Sequence, residues 1–457
     1  MTSGPWLRET VALGRVAGPL VVTQLVQVGM GFTDTLFAGR LGATALGAVG
    51  LGFALWIPAL LAMLGILTAL SPIVAQLDGA GRTAAIAARV RQALWLALVV
   101  GALASIAVVV SPALLGPLGI DASLHSPTRD YLDALAWGLP GAALFAALRF
   151  TSEGLGRTAP IMLVSLVALA ANALLDYVLM FGAFGVPALG VAGAGHATAI
   201  VMWMELALLG WYVRRAPALR ALGIFARFDP PRRRALAEHL ALGAPIAGAM
   251  LLEVGFFTGI ALLMGRWGAA GAGAHQVAVN WAALMFMVPL GIGLAATVRV
   301  GQSIGRRDTA GARRAASVAL LIGLGFALVS ASAMLLIPEA ITAAYGAEAG
   351  VAALAVDLLR IAALFQLADA LQVVAMGALR GLKDTRVPMW ISAIAYWAIG
   401  LPLGWWLGVV VYDEPRMLWW GFVAGLVTAA VLLLARLHTS LRPAALEARF
   451  VTPDDLD

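Results

Sequence analysis

Four carboxylates stand in sequence that is otherwise almost wholly apolar: Asp34 in VTQLVQVGMGFTDTLFAG, Asp176 in AANALLDYVLM, Glu253 in PIAGAMLLEVGFFTGIALLMG and Asp369 in ALFQLADALQVVAMGALR. At the centre of a bilayer a charged side chain costs about 2.5–3.5 kcal/mol even on a lenient insertion scale, and such residues mark ion or substrate pathways. Asn172 precedes Asp176 by one helical turn, and Gln27 precedes Asp34 by two, so each pair shares a helix face. Thr198, in a later apolar stretch, adds a hydroxyl. Two carboxylates, a carboxamide and a hydroxyl are hard oxygen donors, suited to a proton relay or a small cation. The same groups would also serve as interhelical hydrogen bonds holding a bundle together. Glu253 and Asp369 each stand alone in their stretch, with nothing basic beside them. That points to cation or proton binding; a structural pair with a distant donor is the alternative.

The elements that carry these acids follow from composition. Of 457 residues, 62% are hydrophobic and 12% charged, where a soluble domain has about 25% charged. Mean hydropathy is +0.93. A water-soluble enzyme, a disordered chain and a fibrous repeat are excluded. The absence of cysteine excludes disulfides, thiolate metal sites and thiol nucleophiles. Twelve stretches are long and apolar enough to span a bilayer, near 14–38, 45–72, 92–114, 130–150, 159–182, 191–213, 238–264, 273–299, 315–337, 352–378, 387–409 and 418–436. The expected fold is an all-α polytopic membrane protein. The first stretch reads as a retained span, not a cleaved signal peptide.

The sequence pI is about 10.3. Most basic residues fall in alternate connections, around 82–91, 149–157, 214–234, 306–314 and 380–386, and in the two tails. The positive-inside bias places both tails and these connections in the cytoplasm. Basic character is therefore topological, and no nucleic-acid partner is expected.

The chain is duplicated. A shift of 226 positions lays 19–79 on 245–305 without a gap and with 18 of 61 residues identical. Pro19 meets Pro245, Gly39-Arg40 meets Gly265-Arg266, Leu64-Gly65-Ile66 meets Leu290-Gly291-Ile292, and Ala147-Leu148-Arg149 is echoed by Ala378-Leu379-Arg380. Two six-span lobes, related by a pseudo-two-fold along the membrane normal, are expected. They comprise 1–213 and 238–436, joined by a linker at 214–237 and followed by a tail at 437–457. The repeat pairs Gln27 with Glu253 and Asp34 with Ile260, so the lobes have placed their acids differently.

Other residues have milder readings. Phe256, Phe257, Met264, Phe286 and Met287 either line an apolar cavity for planar cations or face lipid and neighbouring helices. Gln27 and Phe365 complete that candidate cavity. Glu205 is within snorkelling distance of Arg214; Asp357 and Arg360 are spaced to pair; Glu153, Lys383 and Asp384 read as solvated loop residues. His196 and His275 read as hydrogen-bonding residues near outer helix ends, and Arg299 as a snorkelling residue at an inner end. Trp6, Trp211, Trp267, Trp419 and Trp420 fit interfacial belts. There is no P-loop and no HExxH, so neither ATP nor zinc hydrolysis is implied. The stretch GLGRTAP lacks the strand–helix context of a nucleotide site.

The segments FTDTLFAGRLGATALGAVGLG, ALSPIVAQLDGAGR, ANALLDYVLMFGAFGVPALGVAGAGHAT, AHQVAVNWAALMFMVPLGIGLAATVRVGQSIG and LFQLADALQVVAMGALRGLKDTRVP resemble the multidrug and toxic compound extrusion (MATE) transporters, in the NorM-like bacterial branch. The resemblance implies a monomeric antiporter of the bacterial inner membrane, not an enzyme. Such a protein exports cationic lipophilic drugs by alternating access in exchange for Na+ or H+, with no organic cofactor. By motif position, Asp34, Asn172 and Asp176, with Thr198, correspond to an N-lobe cation or proton site, and Glu253 and Asp369 to a C-lobe acidic pair. Some members carry a tyrosine where this chain has Phe365, which removes one oxygen from the C-lobe set. A lipid-linked oligosaccharide flippase of the same superfamily would instead need basic residues within the spans. An intramembrane enzyme would need a nucleophile with its base.

Overall fold

In a bilayer the backbone has no water to bond, so every N–H and C=O must be satisfied within the segment, and helices result. The computed structural model describes residues 4–346 and 348–450, and among them there is no strand. In chain order the helices are α1 (Pro5–Leu41), α2 (Ala43–Thr68), α3 (Leu70–Gly79), α4 (Thr83–Val110), α5 (His125–Ala136), α6 (Leu139–Gly154), α7 (Ala159–Phe181), α8 (Val191–Arg215), α9 (Pro217–Arg220) and α10 (Arg233–Met264). There follow α11 (Gly268–Gly305), α12 (Thr309–Leu336), α13 (Pro338–Ala344), α14 (Ala349–Gly381), α15 (Arg386–Ser392), α16 (Leu401–Trp405), α17 (Pro415–Leu418), α18 (Trp420–Ser440) and α19 (Pro443–Glu447).

Among the described residues, ten continuous helical runs are long and apolar enough to cross a membrane. One of them, Arg233–Gly305, has 73 residues. At 1.5 Å per residue it would reach roughly 110 Å, several times a bilayer core of about 30 Å. It is two spans, α10 and α11, joined by the turn Gly265–Trp267. The bent pair α5 and α6 supplies a further span, which completes the expected twelve.

Local chemistry explains the breaks. The expected straight span at 130–150 is bent by 45° between α5 and α6, where Pro140 lacks the N–H that would continue the helix. Pro72 does the same between α2 and α3. Around Pro402 the eleventh span is wound as π-helix on both sides, over Ala393–Gly400 and Trp406–Val411. Gly42 and Gly268, equivalent by the 226 shift, have φ of +112° and +66° and turn the first helix of each repeat into the second. Asp308 caps α12, its carboxylate accepting from the Gly311 amide at 2.7 Å.

The chain forms two compact units, one of residues 22–247 and one of residues 1–21 with 248–457. The sequence divides at the 214–237 connection; the packing divides within helices α1 and α10. The dividing points, 21/22 and 247/248, are themselves 226 residues apart. In the first unit the 214–237 segment is docked on α4. Arg91 bonds Asp229 at 2.5 Å and the Gly223 carbonyl at 3.0 Å, Gln92 donates to the Pro230 carbonyl at 2.9 Å, and Trp95 Nε1 donates to the Asp229 carbonyl at 3.0 Å. The Arg91 guanidinium beside Asp229 holds its carboxyl below the usual carboxylate range. In the second unit, α11 and α14 meet through glycine: a methyl on Gly377 would overlap the Gly293 backbone, and Thr297 Oγ1 donates to the Gly377 carbonyl at 2.8 Å.

Several milder expectations are corrected. Arg299 does not snorkel; both its arms hold Glu9, at 2.8 and 2.7 Å. Glu153 and Asp384 are buried rather than solvated, paired with Arg149 at 2.7 Å and with Arg436 at 2.7 Å. Trp419 is fully buried and no interfacial anchor, whereas Trp6, Trp211 and Trp420 are exposed. Asp357 and Arg360 do pair, at 3.7 Å.

Candidate cation sites

The first cluster lies within the 22–247 unit, on α1, α7 and α8. Asp34 is buried on α1, with Asn172 and Asp176 of α7 beside its carboxyl. Thr198 Oγ1 on α8 is 3.5 Å from Asp34 Oδ2 and 3.0 Å from the Ala194 carbonyl, so one hydroxyl proton serves two acceptors. Asp34 Oδ1, Asn172 Oδ1 and both oxygens of Asp176 are buried without a donor. An acceptor-rich cluster of this kind is satisfied by a proton or a small hard cation placed among the oxygens. Among the described residues no three His, Cys, Asp or Glu side chains converge to hold a metal, which leaves oxygen ligation by two carboxyls, a carboxamide and a hydroxyl.

Tyr131 of α5 is a member that sequence reasoning missed. It is fully buried, and the carboxyls of Asp34 and Asp176 both act electrostatically on its phenol. Gly52 makes its place, because a methyl there would overlap the Tyr131 ring. Nothing local marks Tyr131 out among the six tyrosines.

The second cluster lies within the other unit, on α10, α14 and the π-helical stretch Ala393–Gly400. Asp369 is buried with Oδ1 unpartnered, in electrostatic range of Glu253. Gln372, one turn beyond Asp369, spans the site: Nε2 donates to the Tyr396 hydroxyl at 2.8 Å and lies 3.4 Å from Glu253 Oε1. Arg380 is buried and acts on Glu253 through its charge, with Met376 Sδ 3.1 Å from its guanidinium. Gln372, Tyr396 and Arg380 were missed from sequence; the one available signal was that Gln372 follows Asp369 by three positions on one helix face.

The expected apolar residues are placed differently. Phe256 stacks on Tyr396 with centroids 5.1 Å apart, and Phe257 lies 4.6 Å from Phe422. Phe365 packs on Phe422 at 5.6 Å and Trp419 at 6.0 Å. Phe256, Met264 and Phe365 are buried in this packed core, while Phe257, Phe286, Met287 and Gln27 are half-buried. His275 is buried against Trp419, and His196 Nδ1 accepts from Trp137 Nε1 at 3.3 Å.

Twelve apolar spans among the described residues, from a duplicated sequence, with an acid cluster in each compact unit, define a membrane transporter. The MatE family model matches twice, over residues 19–178 and 245–406, and the two matches begin 226 residues apart. Multidrug resistance protein PmpM of Pseudomonas aeruginosa is 43% identical over 95% of this chain and 92% of its own length. Multidrug resistance protein MdtK of Yersinia pseudotuberculosis is 39% identical over 95% of this chain and 96% of its own. The fold matches the crystal structure of the eukaryotic MATE transporter AtDTX14, with a TM-score of 0.89, 22% identity and coverage of 98% and 99% of the two chains. The chain belongs to the MATE family of transporters. It is an integral inner-membrane protein of the multidrug efflux type, and not an enzyme.

Proposed function

We propose that this chain exports cationic, lipophilic compounds by alternating access, in exchange for Na+ or H+ entering at the two acid clusters, with both tails in the cytoplasm and the monomer as the working unit. The observation that carries this reading is the set of buried, donor-free oxygens on Asp34, Asn172, Asp176 and Asp369. A buried carboxylate without a countercharge is stable only when a proton or cation joins it. Cation entry then neutralises a cluster, and release restores the charge, so occupancy biases any two-state element packed around it. The multidrug names of PmpM and MdtK support drug-like cations as cargo.

The test uses the full chain in proteoliposomes, with Na+ and pH gradients imposed separately and export of a lipophilic cationic dye recorded. Asp34→Asn and Asp369→Asn are expected to insert normally and to lose gradient-driven export. Normal export by both variants would overturn the reading.

A further inference from the structure

A third acidic site lies in the 22–247 unit, apart from Asp34 and Asp176. Glu205 stands on α8, two turns beyond Thr198 toward the basic end at Arg214-Arg215, about 10 Å along the helix. It is 8% exposed, and its Oε1 is buried without a donor. Arg149 of α6 acts on it electrostatically. That guanidinium is already engaged: Nε holds Glu153 Oε1 at 2.7 Å, and Nη2 donates to Gln24 Oε1 at 2.9 Å. One arginine therefore faces two buried carboxyls, and Glu153 takes the contact.

The elements packed against α8 bring no second cation to act on Glu205. From α6 come Arg149 and Glu153, from α7 Asp176 and Tyr177, from α5 His125 and Tyr131 with the exposed Arg129, Asp130 and Asp133, and from α9 the exposed Arg220; of these, Arg149 alone acts on Glu205. Arginine keeps its proton and cannot relay one. Glu205 is thus a buried carboxyl in excess of the available positive charge. With one carboxyl and the distant amide of Gln24, the place lacks the six or so oxygens that a hard metal cation prefers, whereas a proton needs a single oxygen.

We propose that Glu205, backed by the Arg149–Glu153 pair, is a second proton-carrying site of this unit, inward of the Asp34–Asp176 cluster. On uptake, an O–H bond forms at the free Glu205 oxygen with a proton from water, and its charge goes from −1 to 0. On release that bond breaks, the proton returns to water at the basic end, and Arg149 balances the carboxylate that remains. The role in transport rests on the coupled-export reading above; the protonation itself does not.

The test takes the full chain in neutral-lipid vesicles and records infrared pH-difference spectra of the wild type, Glu205→Gln, Glu205→Asp and Asp34→Asn. A protonated-carboxyl band is expected that survives Asp34→Asn, disappears in Glu205→Gln and returns at a shifted frequency in Glu205→Asp. With tetraphenylphosphonium as cargo and a pH gradient as the drive, Glu205→Gln is expected to lower turnover about tenfold or more with half-saturation unchanged. A Glu205→Gln spectrum identical to the wild type overturns the proposal. If the wild type shows no gradient-driven export, the coupled-export reading fails and the band still decides Glu205.

Discussion

The backbone of Val21 lies so close to Gly291 that a methyl on the glycine would sit 2.9 Å from the Val21 nitrogen. The 226 shift carries this contact onto another: Gly65 is pressed in the same way against Ala247. Val21 and Ala247 are the last residues of α1 and α10 before each helix passes into the other compact unit. The duplicated glycines therefore hold the duplicated crossing helices. Gly65→Val and Gly291→Val are each expected to lower stability, by about 1–3 kcal/mol or more. Gly50, which has nothing within 4 Å of an added methyl, is the control. Thermal unfolding in detergent would show lower midpoints for both valine variants and no loss for Gly50→Ala.

Each crossing helix also has its first turns fixed by an ion pair. On α1, Glu9 is held by both arms of Arg299, the side chains being 10% and 18% exposed. On α10, Glu238 pairs with Arg89 at 2.6 Å but is 44% exposed. Burial decides which matters. Glu9→Gln strands a largely buried guanidinium and is expected to cost about 3 kcal/mol, whereas Glu238→Gln costs less than about 1 kcal/mol. A double-mutant cycle with Arg299→Gln and Arg89→Gln, read by thermal unfolding, separates the two; equal coupling energies would contradict the burial argument.

Gln372 ties Glu253 to Tyr396, and so a tyrosine from the eleventh span brings a hydroxyl to the site, whereas position 365 offers only a phenyl ring. Tyr396→Phe removes the acceptor that orients the Gln372 amide. We expect a three- to tenfold weaker dependence of export on the driving cation, corresponding to about 1 kcal/mol for one buried hydrogen bond. Phe365→Tyr, by contrast, forces a hydroxyl into the contact with Trp419 and Phe422 and is not expected to compensate. Half-saturation for Na+ and H+, measured in both variants and in the double variant, checks this; an unchanged value in Tyr396→Phe would show that Tyr396 plays no part, and full rescue by Phe365→Tyr that position 365 can supply the hydroxyl instead.

What could be read from the sequence follows from the solvent. A bilayer makes charge rare, so Asp34, Asp176, Glu253 and Asp369 stand out against their neighbours without any structure, and the same scarcity delineates the spans. Asn172 was legible through its helical spacing to Asp176. Tyr131, Tyr396 and Gln24 were not, because their partners come from other helices and no periodicity links them. Glu153 was misread as solvated although Arg149, four residues earlier, was the available clue. Trp419 shows the limit of an interfacial rule: tryptophans flanking a span favour the belt, yet this one fills the core beside Phe365. The place where α1 and α10 change units was also hidden, since both helices run through it unbroken.

The docked connection between the two repeats supplies a pH test. Asp229 is held below the ordinary aspartate range chiefly by its hydrogen bond from Arg91, with Arg227 and Arg232 adding to the field. A carboxyl whose folded value is depressed contributes stability above its unfolded value, near pH 4, and loses that contribution as the pH falls through the folded value. Docking of the 223–232 segment on α4 is therefore expected to be constant from pH 8 to about pH 5 and to weaken below about pH 4. The chain has no cysteine, so a nitroxide on Ala226→Cys reports this segment alone. Its spectrum should be immobilised at neutral pH, gain a mobile component in acid, and show that component already at pH 7 in Asp229→Asn, where Arg91 has lost its ionic partner. An Asp229→Asn spectrum as immobile as that of the parent would mean that the carbonyl bonds to Arg91, Gln92 and Trp95 hold the segment without the charge.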